Sequence, residues 1–289
     1  MAVLGIVGVS ASGPIMAATA APALTIAFWR NALGALTMGA PVLVGGRGSI
    51  ASLGRTELKF SAIAAIALAL HFACFITSVK LTSVAAATAL VCLQAAWIAL
   101  FQWLRGRRPP FLIVLGLGVA LGGVVVITGF DVGVSGDALV GDLLALAGGA
   151  LAAVYTLAGS RARKSMSTPL YSSICYGIAS VVLLAMCLAL GQPLIAIPPV
   201  AWLGIIAVTV AAQIMGHTIF NHLLATISPL VVSMMILLEI PGAALLAGIF
   251  LGEMLPAGTY LGLALIIAGL VVVVLHQGRG GLKRTSTAG

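Results

Sequence analysis

The side chains with chemistry to offer are few, and all of them interrupt long apolar runs: Ser10, Ser12, Arg30, His71, Thr88, Gln94, Tyr155, Gln213, His217, Asn221, His222, Ser233 and Glu239. Gln213, His217 and Asn221 recur every four residues, which on a helix puts them on one face. His71 lies between Ala67 and Phe75 at the same spacing. A neutral imidazole can donate to a carboxylate or accept from an amine without a fixed charge; it can equally bond a neighbouring helix carbonyl and lock packing. Glu239 can bind a substrate ammonium, carry a proton, or pair with Arg30. Pairing is the favoured reading of Arg30, because an unpaired arginine in apolar surroundings is costly. Gln94 offers an amide, Tyr155 an aromatic wall and Ser10 a hydroxyl. The candidate substrate-binding set is therefore His71, Gln94, Tyr155, Gln213, His217, Asn221, Glu239 and Ser10. Nothing in it assigns a catalytic residue, a metal or a cofactor.

Rival chemistries find less support. Ser10 or Ser12 with a histidine could form a nucleophile–base pair, yet Ser10-Ala11-Ser12-Gly13 lacks a nucleophile context, so an intramembrane serine hydrolase is the weaker alternative. The cysteines Cys74, Cys92, Cys175 and Cys187 fall inside apolar runs without metal-ligand spacing, and read as small packing residues.

The elements that must position these residues follow from composition. The chain has 289 residues, 62% hydrophobic and 7% charged, where a soluble domain carries about 25% charged residues. That excludes a water-facing globular surface, disorder and a disulfide scaffold, and points to a multi-pass membrane protein. Ten apolar runs divide the sequence: 2–22, 23–44, 60–79, 83–104, 111–129, 139–159, 169–190, 200–223, 229–250 and 257–276. The formal charge of +8 suggests nucleic acid only until its distribution is read. Arg47, Arg55, Lys59, Arg105, Arg107, Arg108, Arg161, Arg163, Lys164, Arg279, Lys283 and Arg284 all follow even-numbered runs, while Asp131, Asp137 and Glu253 lie in the other set of gaps. By the positive-inside rule both termini are expected in the cytoplasm. Small residues at 17–23 resemble a signal-peptide cleavage region, but no basic residue precedes Arg30, so residues 2–22 are read as the first span.

The sequence also repeats. A shift of 146 residues lays His71 on His217, Gly106 on Gly252, Pro110 on Pro256 and Gly123 on Gly269. A shift of 145 lays Leu93-Gln94 on Leu238-Glu239, and one of 141 lays Gly8 on Gly149. Two repeats of five spans must face opposite ways, because five is odd, and inverted repeats place a transport site at their interface. Expected units are 1–130 and 131–276, each a five-helix repeat, then a basic tail at 277–289. Gly116, Gly118 and Gly122, with Gly258 and Gly262, predict close helix packing of the fifth and tenth spans. Pro14 and Pro241 can kink the first and ninth.

Residues 233–253, with Leu238-Glu239 followed by Pro241 and an apolar run ending in Leu251-Gly252-Glu253, resemble the signature of EamA-type transporters. Phe28-Trp29-Arg30 is similar to that family's membrane-embedded arginine. The resemblance, to the drug/metabolite transporter superfamily, covers essentially the whole chain. Within it, amino acid exporters such as the YddG-like aromatic amino acid exporters look closest. It implies an all-α protein of ten helices that exports small molecules from a bacterial cytoplasmic membrane, as monomer or homodimer, by alternating access. Polyanions would need several cations at mid-depth, and cationic drugs would need acids on the first helix of each repeat. Neutral amino acids, including aromatic ones, fit the sparse charge best. An exporter of other specificity and a passive facilitator are the alternatives.

Overall fold

Inside an apolar medium a backbone amide finds no water, so a chain of this composition must satisfy its hydrogen bonds within helices. The computed structural model meets that demand. It describes residues 1–44, 53–129, 135–252 and, within 258–272, all but 259, 263 and 270. The expected boundary at 130/131, the basic residue Arg47, the acids Asp131 and Glu253 and the tail 277–289 lie outside the described residues.

The helices are α1 (Ala2–Ser10), α2 (Ser12–Ala18), α3 (Ala23–Val44), α4 (Arg55–Leu81), α5 (Val84–Val91), α6 (Gln94–Leu104), α7 (Phe111–Gly129), α8 (Gly136–Ala162), α9 (Thr168–Ala189), α10 (Pro199–Val208), α11 (Thr218–Leu223), α12 (Pro229–Ile236) and α13 (Glu239–Leu251), with a π-helical stretch at Thr209–His217. Residues around 260–269 are also helical. Among the described residues, six helices are long and apolar enough to cross a membrane, counting α5–α6, α10–α11 and α12–α13 each as one. Ala2–Ala18, Phe111–Val126 and Tyr260–Gly269 are shorter apolar helices.

Apolar runs located the helices but not their ends or their interruptions. α4 and α8 begin earlier than hydropathy predicts, because their first turns carry Glu57 and Asp137, acids that favour a helix N-terminus. Ser135 caps α8 by accepting from the Ala138 amide at 3.2 Å. Four runs are broken instead of straight: at Ala11, at Cys92–Leu93, through 209–217 and at Leu237–Leu238.

The two halves interlock. The first helix of each packs on the third of the other, α1 on the π stretch and α8 on α4, while α3 and α9 lie side by side. Such contacts need small residues. A Cβ on Gly8 would lie 2.4 Å from the Ala211 carbonyl, and one on Gly149 would lie 2.8 Å from that of Val91. α7 crosses the 260–269 helix through reciprocal glycines. A Cβ on Gly123 would meet the Gly262 carbonyl at 2.5 Å, and one on Gly269 would meet that of Gly116 at 2.3 Å. Gly118 and Gly122 have nothing within 4 Å, so they lie off this face; of the expected stripe Gly116 and Gly262 take part in the crossing, opposite Gly269 and Gly123, which the stripe did not include.

Overpacking such a crossing costs about 1–3 kcal/mol. Gly269→Val should therefore lower the melting temperature of detergent-purified protein. Gly118→Ala should hold or raise it, since alanine is the better helix former. Equal melting temperatures for the two variants would show that the glycine crossing is not a close contact.

Candidate functional site

The four interruptions of the helices meet at one place. Cys92–Leu93 and Leu237–Leu238 are tight turns of i→i−3 bonds, Leu93 N to Leu90 O at 3.2 Å and Leu238 N to Met235 O at 3.2 Å. They occupy equivalent positions in the two repeats and face each other: the Cys92 thiol donates to the Ile236 carbonyl at 3.8 Å. The residues that restart the helices after these turns are Gln94 and Glu239. Ala11 separates Ser10 from Ser12, and the π stretch ends at His217.

Around this meeting point lies a cavity lined by Ser12, Arg30, His71, Gln94, Tyr155, His217, Asn221 and Glu239, with an apolar wall that includes Val9, Phe72, Phe75, Cys92, Phe220 and Ile236. Its volume is about 50 Å³; a water needs roughly 10–15 Å³ on this measure, so the cavity has room for a few waters. Leu224 forms part of its wall and also borders a cleft of about 720 Å³ lined by Arg105, Arg107, Arg161 and Lys164.

The two histidines meet across the cavity with ring centroids 6.3 Å apart. His71 Nδ1 lies 3.0 Å from the Gly148 carbonyl. A carbonyl only accepts, so Nδ1 is the donor and, in the neutral ring, Nε2 is left as an acceptor. His217 has no hydrogen bond to the described residues; its ring also lies near those of Phe72 at 5.1 Å and Tyr155 at 6.2 Å. Glu239 Oε1 accepts from Ser12 Oγ at 3.3 Å. The Gln94 amide bonds none of the described residues.

The polar stripe on the eighth run splits. A four-residue spacing keeps one face only on α turns, but residues 209–217 follow wider π turns. Gln213 does not line the cavity. Its Oε1 accepts from Arg30 Nε at 2.9 Å and its Nε2 donates to Asn31 Oδ1 at 3.1 Å. The Gln213 carbonyl, which accepts the Thr218 amide across the π turn, also accepts from Thr218 Oγ1 at 3.0 Å. Asn221 lines the cavity but is also tied into a buried knot. Tyr155 donates to its Oδ1 at 2.5 Å, and its Nδ2 donates to Ser172 Oγ at 3.2 Å and the Tyr176 hydroxyl at 3.3 Å. Ser10 lies against Gly242, where a Cβ would meet its hydroxyl at 2.2 Å, and it is not part of the lining.

The expected Arg30–Glu239 pair is not made. Arg30 bonds Gln213 through Nε and the Met16 sulfur through Nη1 at 3.4 Å. Its guanidinium lies 4.1 Å from the Phe72 ring centroid, and its buried Nη2 has no partner. A neutral amide and an aromatic face, not the carboxylate, hold this cation. Arg163 also differs from a mere orientation signal: it donates to the Asn221 carbonyl at 2.8 Å, to Thr168 Oγ1 at 2.9 Å and to the Met166 carbonyl. His222 meets Thr168 at 3.1 Å, away from the cavity. The polar residues singled out in the sequence do not include the knot partners Ser172 and Tyr176, which lie within the seventh apolar run. They do include Ser12 and Arg30, which were not placed in the candidate set.

Comparison with known proteins follows the same two-part organisation. The model of the EamA-like transporter family matches residues 1–129 and 139–275. A solved structure, titled only as the crystal structure of a protein, superposes with a TM-score of 0.73 at 20% identity, covering 95% of this chain and 95% of its own; it shows the fold. No curated protein matches the chain.

Knot and cavity make different demands on stability. Asn221→Ala would leave the buried Tyr155 hydroxyl without its acceptor, at about 1–3 kcal/mol, and should lower the melting temperature. His217→Ala removes no hydrogen bond and should leave folded protein near wild-type stability. A His217→Ala variant destabilised as much as Asn221→Ala would make His217 a packing residue.

Proposed function

The chain belongs to the EamA-like transporter family, and from that premise we propose that it is a secondary exporter of neutral, including aromatic, amino acids or similar small metabolites. In this reading ten spans form two inverted five-helix repeats in a bacterial cytoplasmic membrane, with both termini cytoplasmic. The single observation that carries it is the cavity between the halves, lined by the equivalent pairs His71 and His217, and Gln94 and Glu239. Substrate and coupling sites lie at such repeat interfaces, beside interrupted helices.

The charge of the lining argues for the substrate class. It holds one guanidinium, one carboxylate, two imidazoles and neutral amides. A polyanion would need more cations and a polycation more acids, whereas a zwitterion needs one group for each end. Glu239 suits the ammonium, with Tyr155, Phe72 and Phe75 as walls for a side chain; His71, Gln94 and His217 supply donors and acceptors, beside Asn221 held in its knot. Ser10 and Gln213 act one layer behind. A volume of about 50 Å³ is too small for an aromatic side chain, so loading requires the halves to move apart, as alternating access does. The basic cleft beyond Leu224 fits the cytoplasmic mouth.

Reconstituted in proteoliposomes, the protein should move phenylalanine, leucine and other neutral amino acids with saturation and counterflow, and at least several-fold faster than lysine or glutamate. Transport of none of them removes the amino acid assignment; flux without saturation or counterflow makes the protein a passive facilitator. Orientation has its own check. In a cysteine-free background, Ser165→Cys should react with an impermeant maleimide only after permeabilisation, and Ala196→Cys should react on intact cells. The reverse pattern would invert the topology.

A further inference from the structure

Arg30 is the least economical residue in the bundle. Its side chain is 1% exposed, and a buried cation is tolerated only when it is paired and its donors are used. Guanidinium offers five donors in a fixed fork. Here Nε is bound to Gln213 at 2.9 Å, Nη1 reaches only a weak acceptor, the Met16 sulfur at 3.4 Å, and the buried Nη2 reaches nothing. The group is nevertheless held firmly. Gln213 is itself fixed by Asn31 at 3.1 Å, Asn31 donates to the Ala27 carbonyl at 2.8 Å, and Phe72 lies under the guanidinium at 4.1 Å. An arginine oriented by three neighbours, with one edge unused and a place in the cavity wall, is preorganised for an acceptor that comes and goes.

We infer that Arg30 receives the substrate's carboxylate at its Nη1–Nη2 edge, and so requires a free carboxylate on whatever the protein transports. This deepens the proposed amino acid transport and rests on it. Carboxylate geometry matches the arginine fork. A phosphate would bring a second negative charge and needs a second cation. Among the described residues no other Arg or Lys lines the cavity: Lys80 bonds the Ala17 and Thr19 carbonyls, and Arg163 is engaged in its loop. Glu239, bonded to Ser12 and free of Arg30, is left for the ammonium. The two unpaired charges of the cavity thus read as the two ends of a zwitterion, and binding supplies what the empty site lacks.

The test compares four ligands of one shape on the full-length protein in nanodiscs and proteoliposomes: phenylalanine, phenylalaninamide, phenethylamine and hydrocinnamate. Binding is measured by isothermal titration and transport by competition with labelled phenylalanine. Loss of a charge-assisted hydrogen bond weakens binding about tenfold to a hundredfold. Phenylalaninamide and phenethylamine should therefore bind at least tenfold more weakly than phenylalanine, while hydrocinnamate competes. Arg30→Gln should weaken phenylalanine and hydrocinnamate by the same factor and leave phenethylamine unchanged; Arg30→Lys should recover part of the loss. If phenylalanine is not transported but hydrocinnamate binds in an Arg30-dependent way, the amino acid reading fails and the carboxylate subsite stands. If phenylalanine is transported and phenylalaninamide competes equally, the Arg30 inference fails and the transport reading stands. Binding of none of the four overturns both. Should Arg30→Gln not fold, the acid–amide comparison on the wild-type protein decides alone.

Discussion

A backbone amide surrounded by hydrocarbon can bond only to the chain itself, and this constraint explains both the regularity of the protein and the places where regularity stops. Nearly all the described residues are helical because nothing else satisfies the peptide groups. Each departure is small and internally repaired. The turns at Cys92–Leu93 and Leu237–Leu238 keep i→i−3 bonds, and in the π stretch the Gln213 carbonyl accepts both the amide and the hydroxyl of Thr218. All four departures gather around one cavity. Irregular backbone at membrane depth is tolerated where it is enclosed by protein or lines a cavity, and the arrangement follows that rule.

Within this frame the buried polar side chains divide by how much of their bonding capacity is used. Asn221, Tyr155, Tyr176 and Ser172 saturate one another, and Arg163 ties the neighbouring loop to the Asn221 carbonyl. Such a knot fixes geometry, since every member would be costly to leave unpaired. His217, Gln94 and Arg30 are different: each borders the cavity with donors or acceptors unspent. Unspent capacity in a protein interior is unfavourable unless a water or a ligand uses it, which separates residues whose partners are built into the fold from residues still open to one.

Duplication supplies symmetry, and the departures from symmetry supply polarity. His71 and His217 occupy equivalent positions, yet one is anchored on the Gly148 carbonyl and the other is not. Gln94 and Glu239 both restart a helix after a tight turn, but only one is an acid. Arg30 stands on α3, and no cation occupies the corresponding helix, α9. The frame is thus duplicated, while the lining of its cavity is unequal on the two sides.

Composition and periodicity alone determined that the chain is a duplicated, helical membrane protein. With so few charges and such long apolar runs, burial in lipid is the only way to satisfy the hydrophobic surface, and the runs 23–44 and 111–129 coincide with α3 and α7. The repeat shift correctly paired His71 with His217 and Gly123 with Gly269, because equivalent contacts across the halves need the same residue types. What the tertiary structure decided was the partner of each polar group. Arg30 was expected on Glu239 and is bound to Gln213, an amide on a helix about 180 residues away whose π turns no hydropathy pattern reports. Gln213, His217 and Asn221 share a spacing but serve a clamp, a wall and a knot, since their neighbours come from α3, α4, α8 and α9. Spacing along one helix sets which residues share a face; only the packing of other helices against that face sets what each residue meets.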